Sequence, residues 1–160
     1  NLLFTGTIKS NIKFGKPHAT NDEVEHSAKI AQAYDFISNK EKGFDEPISE
    51  GGSNVSGGQK QRLSIARALV RKPEIYIFDD SFSALDFKTD AILRKALKKE
   101  TTDAIVLIVA QRIGSIMDAD KIIVLDEGKV VGVGKHKELL KTCNVYHEIA
   151  LSQLTEEELA

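Results

Sequence analysis

The chain has 160 residues, of which 41% are hydrophobic and 29% charged, and these proportions are typical of one soluble globular domain. The net charge of −2 argues against a large basic surface, so no nucleic-acid partner is expected. The single cysteine, Cys143, excludes an internal disulfide, and the longest apolar run, 104–110, is too short to cross a membrane.

The first third of the chain predicts a small helical region. A helix is expected from Ile8 to about Phe14, after an extended start. A second helix is expected over 21–37, because apolar residues recur there at a spacing near 3.6. Thr20 or Asn21 can cap it. Glycines and a proline make 42–54 a loop.

The segment Ser56-Gly57-Gly58-Gln59 precedes a run of helix formers and predicts the start of an amphipathic helix over 57–71. The free N–H groups and the positive dipole end of such a helix bind anions, and glycines let the backbone approach a phosphate. The alternative is a serine that simply caps a buried helix, which is common in globular proteins.

The four apolar residues of 75–78 run directly into Asp79 and Asp80. This pattern predicts a buried parallel strand whose carboxyl end opens on a ligand site. A carboxylate in that position can hold Mg²⁺ beside nucleotide phosphates.

The remaining sequence alternates helical and strand patterns, which favours a mainly parallel sheet with helices packed against it. A tight turn is expected at Glu127-Gly128. The charged run 156–158 is expected to be a frayed chain end. The further predicted elements are helix 86–99, strand 104–109, a short helix near 113–118, strands 121–125 and 129–133, and helices 135–140 and 145–154.

Taken in order, these motifs resemble the nucleotide-binding domain of an ABC transporter of the exporter kind. The chain carries counterparts of the segment after the Q-loop, the X-loop, the signature motif, Walker B, the D-loop and the switch region. The matching segments are 3–12, 50–52, 54–59, 75–80, 83–86 and 109–112.

The resemblance implies an α/β fold, a partial P-loop NTPase-type ABC ATPase domain. Residues 1–55 would form the Q-loop exit and the α-helical subdomain, and residues 56–160 the signature helix and the rest of the ATPase core. No G-x-x-x-x-G-K-S/T phosphate loop occurs, so we expect an incomplete domain, truncated before the Q-loop. Such a fragment is expected to be inactive alone, to expose one face of its core and to be marginally stable.

In this family two domains bind head to tail, and each ATP lies between the phosphate loop of one domain and the signature of the other. The resemblance therefore implies ATP and Mg²⁺ as cofactors and a second nucleotide-binding domain as partner. It assigns contact with the partner's ATP to Ser56, Gly57, Gly58 and Gln59, the Mg²⁺ to Asp79, and contacts across the dimer interface to Ser83 and Asp86.

Two residues depart from the family pattern at catalytic positions. Asp80 stands where active members carry a glutamate that polarises the attacking water, and Gln111 stands where they carry a histidine. Aspartate places its carboxylate about 1.5 Å further back, and glutamine cannot become cationic. The pair predicts the degenerate half of a heterodimeric exporter; the alternative is that both are harmless variants of an active site.

The implied location is the cytoplasmic face of the cell membrane, with a transmembrane domain fused upstream. Two other functions remain open from the sequence: a soluble ABC-family ATPase of DNA repair or translation, and a non-catalytic regulatory ABC domain.

Overall fold

Helices and strands alternate along the chain largely as the sequence predicts. The structure is a computed structural model that describes residues 2–155, and the predicted frayed end at 156–158 lies outside the described residues. Its helices are α1 (Ile8–Lys13), α2 (Asn21–Ile30), α3 (Tyr34–Ser38), α4 (Gly57–Leu69), α5 (Phe87–Glu100), α6 (His136–Thr142) and α7 (Asn144–Leu151). Its strands are β1 (Gly6–Thr7), β2 (Pro47–Ile48), β3 (Ile75–Asp79), β4 (Ile105–Val109), β5 (Ile122–Asp126) and β6 (Lys129–Gly134).

The chain divides into two compact units, of which the first ends at Val109 and the second begins at Ala110. The division predicted from the motifs falls after residue 55, because it separates the chain by expected chemical role. It stays a prediction.

Helices of the first unit pack their apolar faces into one core. Ile8 and Ile12 of α1, Val24 of α2, and Leu63 and Ala66 of α4 are all buried there. Local capping fixes where α2 starts, because the Thr20 side chain accepts a hydrogen bond from the Glu23 backbone and the Glu23 carboxylate accepts one from the Thr20 backbone. The cap predicted at Thr20 or Asn21 is therefore at Thr20.

The helix predicted over 21–37 is interrupted, and a single continuous helix there was wrong. α2 ends at Ile30, and Gln32 adopts a left-handed conformation with φ of 56° before α3 begins at Tyr34. Arg62 of α4 donates a 2.8 Å hydrogen bond to the Gln32 carbonyl. Tertiary contact with α4 thus stabilises a break that the apolar spacing of this segment does not reveal.

β3 and β4 pair in parallel, with Ile77 opposite Leu107 and Asp79 opposite Val109. Tyr76 and Phe78 point into the core, whereas Ile77 on the other face is 69% exposed. The predicted parallel strand is present and buried on the side of Tyr76 and Phe78, and no described residue covers its Ile77 side. The expected exposure of one core face is confirmed.

The second unit is built on the antiparallel hairpin of β5 and β6, which turns at Glu127-Gly128 as predicted. α6 and α7 cover one side of the hairpin through Leu139 and Tyr146. The short helix predicted near 113–118 is only a 3₁₀ turn, Ile113–Ser115. Within residues 2–155, no helix is both long and apolar enough to cross a membrane.

Candidate functional site

α4 begins with a complete capping box at Ser56. The Ser56 Oγ accepts a 3.2 Å hydrogen bond from the Gln59 backbone, and the Gln59 side chain accepts a 3.1 Å bond from the Ser56 backbone. These reciprocal bonds satisfy two donors at the helix start and hold the Ser56 backbone extended. The Gln59 side chain, expected beside the nucleotide, is thus engaged in the cap in this structure.

The two glycines that follow Ser56 differ in the space around them. A Cβ added at Gly57 would meet only the Ala84 Cβ, at 3.6 Å, which is an ordinary contact. A Cβ at Gly58 would lie 3.0 Å from the Ala84 carbonyl oxygen, which is tighter than most Cβ contacts, so a side chain there would push the two backbones slightly apart.

The start of α4 presents backbone donors to solvent. Ser56 and Gly57 are exposed, and Gly58 is half-buried. The first N–H groups of any α-helix lack partners within the helix, and they carry the positive end of its dipole. This terminus is therefore suited to bind an anion such as a phosphate oxygen.

Asp79 and Asp80 lie at the carboxyl end of β3, where both are exposed. Asp80 has φ of 46°, a left-handed conformation that costs most residues free energy but that aspartate tolerates comparatively well. Its backbone N–H donates to the Val109 carbonyl at 3.1 Å. The Ser83 hydroxyl donates to the Asp80 carboxylate at 3.0 Å, which orients that carboxylate.

Asp86 is the N-cap of α5. One carboxylate oxygen accepts from the Thr89 backbone at 2.9 Å, and the other accepts from the Thr89 hydroxyl at 2.7 Å. These bonds lower the pKa of Asp86 below its ordinary value. The residue expected to reach across a dimer interface therefore also has a structural role in its own chain.

Sequence reasoning missed Gln61, which links the start of α4 to the turn after β3 in the first unit. Its buried side chain extends from α4 to the segment 80–84 and forms hydrogen bonds with it. Gln61 stands four and eight residues before Ile65 and Leu69, both buried. A polar residue on that buried stripe was the signal in the sequence that could have identified it.

Two arginines of α4, Arg62 and Arg67, make structural contacts. Arg62 contacts the α2–α3 break and lies over the Phe36 ring. Arg67 donates to the Asn11 carbonyl at 3.0 Å and to the Leu2 carbonyl at 2.9 Å. Burial lowers the pKa of both guanidinium groups, although arginine stays charged in proteins.

Gln111 belongs to the second unit, where it is exposed. Its backbone carbonyl accepts a 2.8 Å hydrogen bond from the side chain of Gln153, whose oxygen also accepts from the Ile113 backbone at 2.9 Å. Gln153, two residues beyond the end of α7, thus holds the backbone on both sides of Arg112.

The described residues contain no group of three or more histidine, cysteine or carboxylate side chains able to hold a metal ion by themselves. A single carboxylate such as that of Asp79 is still consistent with Mg²⁺ binding, because protein Mg²⁺ sites usually combine one or two carboxylates with substrate phosphates and water.

Comparison with known proteins agrees with this geometry. The model of the ABC transporter family matches residues 4–83, which contain the capped start of α4 and the end of β3. The chain belongs to the ABC transporter family. Its fold class, an α/β ABC ATPase domain, is confirmed by the same match and by a solved structure of similar fold.

Relatives that resemble this ABC transporter domain carry the names of exporters. Proteins named as multidrug export ATP-binding/permease proteins from Staphylococcus aureus strains NCTC 8325 and bovine RF122 are 45% identical over 93% of the chain. A bacterial Atm1-family ABC exporter solved with ATP bound is 36% identical, with a TM-score of 0.92 over 98% of the chain.

The chain spans about a quarter of each of these proteins, 26% of the Staphylococcus sequences and 27% of the Atm1-family chain. Each of these three proteins therefore contains a region similar to this chain that makes up about a quarter of its own length.

Proposed function

We propose that this chain is the part of an exporter's nucleotide-binding domain that supplies the signature motif to ATP held by a partner domain. The observation that carries the proposal is the capped, exposed start of α4 at Ser56 and Gly57. The fit of a phosphate is supported by the open space at Gly57 and by the unpaired first-turn donors. Ser56, Gly57, Gly58 and Gln59 would form this surface.

Donors aimed at the γ-phosphate stabilise the charge that develops during phosphoryl transfer. The Ser56 hydroxyl accepts from the Gln59 backbone, so its own hydrogen is available for a phosphate oxygen. The role of these groups is to position and stabilise the phosphoryl group, and they hold no proton for the reaction.

On its own side, the chain would hold Mg²⁺ through Asp79, which lies exposed at the end of β3. Bound Mg²⁺ would neutralise charge on the β- and γ-phosphates. We propose that hydrolysis at this second site is slow. Asp80 has one methylene less than the family's glutamate, and Gln111 replaces its histidine. Ser83 and Asp86 are the proposed contacts across the dimer.

The proposed partners are a second nucleotide-binding domain, which forms a heterodimer with this one, and a transmembrane exporter domain. The location would be the cytoplasmic face of the cell membrane. This is supported by the 45% identity to proteins named as multidrug export ATP-binding/permease proteins.

The test is Mg²⁺-dependent ATP turnover by the natural protein, purified alone and then with a second subunit that carries glutamate and histidine at the positions of Asp80 and Gln111. We expect ATP to bind in both preparations and turnover to be fast only in the mixed assembly. Fast turnover by an assembly of identical chains would contradict the degenerate site, and a natural protein with no membrane-spanning domain would contradict the exporter.

A further inference from the structure

Gln61 is an almost fully buried polar side chain, 4% exposed, in the second turn of α4. Its amide nitrogen donates to the Asp80 carbonyl at 3.1 Å and to the Ser83 hydroxyl at 3.2 Å. Its amide oxygen accepts from the Ala84 backbone at 2.9 Å. Both the nitrogen and the oxygen of the amide are therefore hydrogen-bonded, and all three partners lie within residues 80–84.

Burial of a primary amide is unfavourable unless it is hydrogen-bonded, and its loss leaves the partner groups unsatisfied. Here the partners belong to one short turn, so the bonds hold that turn against α4. The close approach of Gly58 to the Ala84 carbonyl adds a steric contact between the same two segments. The start of α4 and residues 80–84 are thus held together at two points.

The turn held by Gln61 contains an unfavourable backbone conformation at Asp80, whose φ is 46°. A non-glycine residue in this region persists only where its surroundings fix it. The Asp80 N–H bond to Val109, the Asp80 carbonyl bond to Gln61 and the Ser83 contact with the Asp80 carboxylate provide that restraint.

We infer that Gln61 is a positioning residue that couples the signature motif to the Asp80 carboxylate and to the D-loop of the same chain. It touches neither nucleotide, and it acts by fixing residues 80–84 relative to the first turn of α4. Any movement of Ser56–Gly58 against the partner's phosphate is then transmitted to Asp80 and Ser83. This inference rests on the function proposed above.

The experiment uses the natural protein assembled with its partner, and measures kcat and KM for ATP. Gln61→Leu keeps much of the volume but removes all three hydrogen bonds. We expect kcat to fall on the order of 10-fold to 100-fold, as for an Å-scale misplacement of a catalytic segment, with KM within about 3-fold of wild type. Gln61→Glu keeps an acceptor for the Ala84 N–H but sets a buried carboxylate against the Asp80 carbonyl oxygen, so its loss should be at least as large.

Ser64→Ala is the matched control on the same helix, because the buried Ser64 hydroxyl has no hydrogen-bond partner among residues 2–155. Its removal should leave kcat unchanged. Should Gln61→Leu fail to fold, Gln61→Met provides the measurement, since it preserves length and volume without burying a charge.

A double-mutant cycle with Ser83→Ala distinguishes positioning from general destabilisation. If Gln61 acts through the turn, the two losses of kcat should combine to less than their product, because the bond between Gln61 and Ser83 is already lost in Gln61→Leu, whereas independent effects would multiply in full. Multiplying losses, or wild-type kcat in a folded Gln61→Leu protein, would overturn the inference. Absence of ATP turnover in the wild-type assembly would instead contradict the proposed function.

Discussion

The start of α4 and the turn after β3 lie against each other, yet they are built in different ways. The first is defined by four consecutive residues, since Ser56 and Gln59 cap each other. The second depends on residues distant in sequence, because Val109 and Gln61 hold the backbone of Asp80. A local motif is thus robust and can be recognised in the sequence, whereas the neighbouring turn exists only in the folded chain.

This difference indicates how the two segments respond to substitution. A change at the α4 start alters what the chain presents to a phosphate and leaves the fold largely intact. A change in or around the turn alters the geometry of a carboxylate that the rest of the domain must hold in place.

The largest effect is expected for Gly57→Asp. The new carboxylate would stand against the γ-phosphate of the partner's ATP, and turnover should fall on the order of 100-fold or more. The space at Gly57 accepts a Cβ, so the fold should persist. ATP hydrolysis by the full assembly is the measurement. The uncharged Gly57→Ala is the control, and an equal loss in both variants would show that charge is not the cause.

A gain is expected for Asp80→Glu combined with Gln111→His, tested in an assembly whose other site is inactivated. The longer glutamate would bring its carboxylate to the attacking water, and the histidine would supply a titratable imidazole. Together they should raise ATP turnover at this chain's own site on the order of 10-fold to 100-fold. The left-handed φ of residue 80 makes glutamate less favourable there, at a stability cost of about 1 kcal/mol. Unchanged turnover in the folded double variant would mean that the two residues do not limit hydrolysis.

Ser56→Ala tests whether Ser56 contributes to ATP turnover beyond its contribution to stability as a helix cap. Loss of the cap should reduce the free energy of unfolding by about 1 kcal/mol, or roughly 3 °C in midpoint temperature, and should also reduce turnover. Thr20→Ala removes an equivalent capping box on α2, away from the proposed site. It should produce a similar thermal shift without affecting turnover per folded molecule. A fall in turnover of equal size would assign the effect at Ser56 to stability alone.

The smallest effect is a pH dependence at Asp86. Its pKa is lowered by hydrogen bonds from the Thr89 backbone and hydroxyl. A lowered pKa in the folded state contributes stability that is present above the unfolded value, about 3.9, and is lost as pH falls through the folded value. Asp86→Asn keeps a capping side chain that does not titrate.

Thermal unfolding between pH 5 and pH 3 should therefore show a slightly steeper loss for wild type than for Asp86→Asn. Glu23, whose pKa is also lowered, titrates in both proteins, so the difference isolates Asp86. Parallel curves for the two proteins would mean that the cap contributes the same stability whether or not residue 86 titrates.

Much of the fold could be predicted because its signals are local. The Thr20 cap, the helix start at Ser56 and the hairpin turn at Glu127-Gly128 each depend on a few consecutive residues. The break at Gln32 could not, because it is stabilised by Arg62, thirty residues further along the chain.

The candidate site shows the same difference between local and distant signals. Its residue types and order predict a signature and strand-end carboxylates, and these assignments stay predictions, whereas the partners of each side chain depend on packing. Gln61 was overlooked because its amide bonds residues 80–84, which the sequence does not show to be near. Asp86 is proposed as an interface contact, and the sequence analysis did not show that it also caps α5 through Thr89, three residues away.

The outward face of β3 and β4 affects the behaviour of the 160-residue chain in solution. Its side chains are Ile75, Ile77, Ile105, Leu107 and Val109, each more than half exposed. Contiguous aliphatic surface of this kind favours self-association. Sulfate or phosphate buffers should promote precipitation of the separately expressed chain, because these salts strengthen apolar burial. Low protein concentration and a mild non-ionic detergent are therefore suitable conditions for handling it.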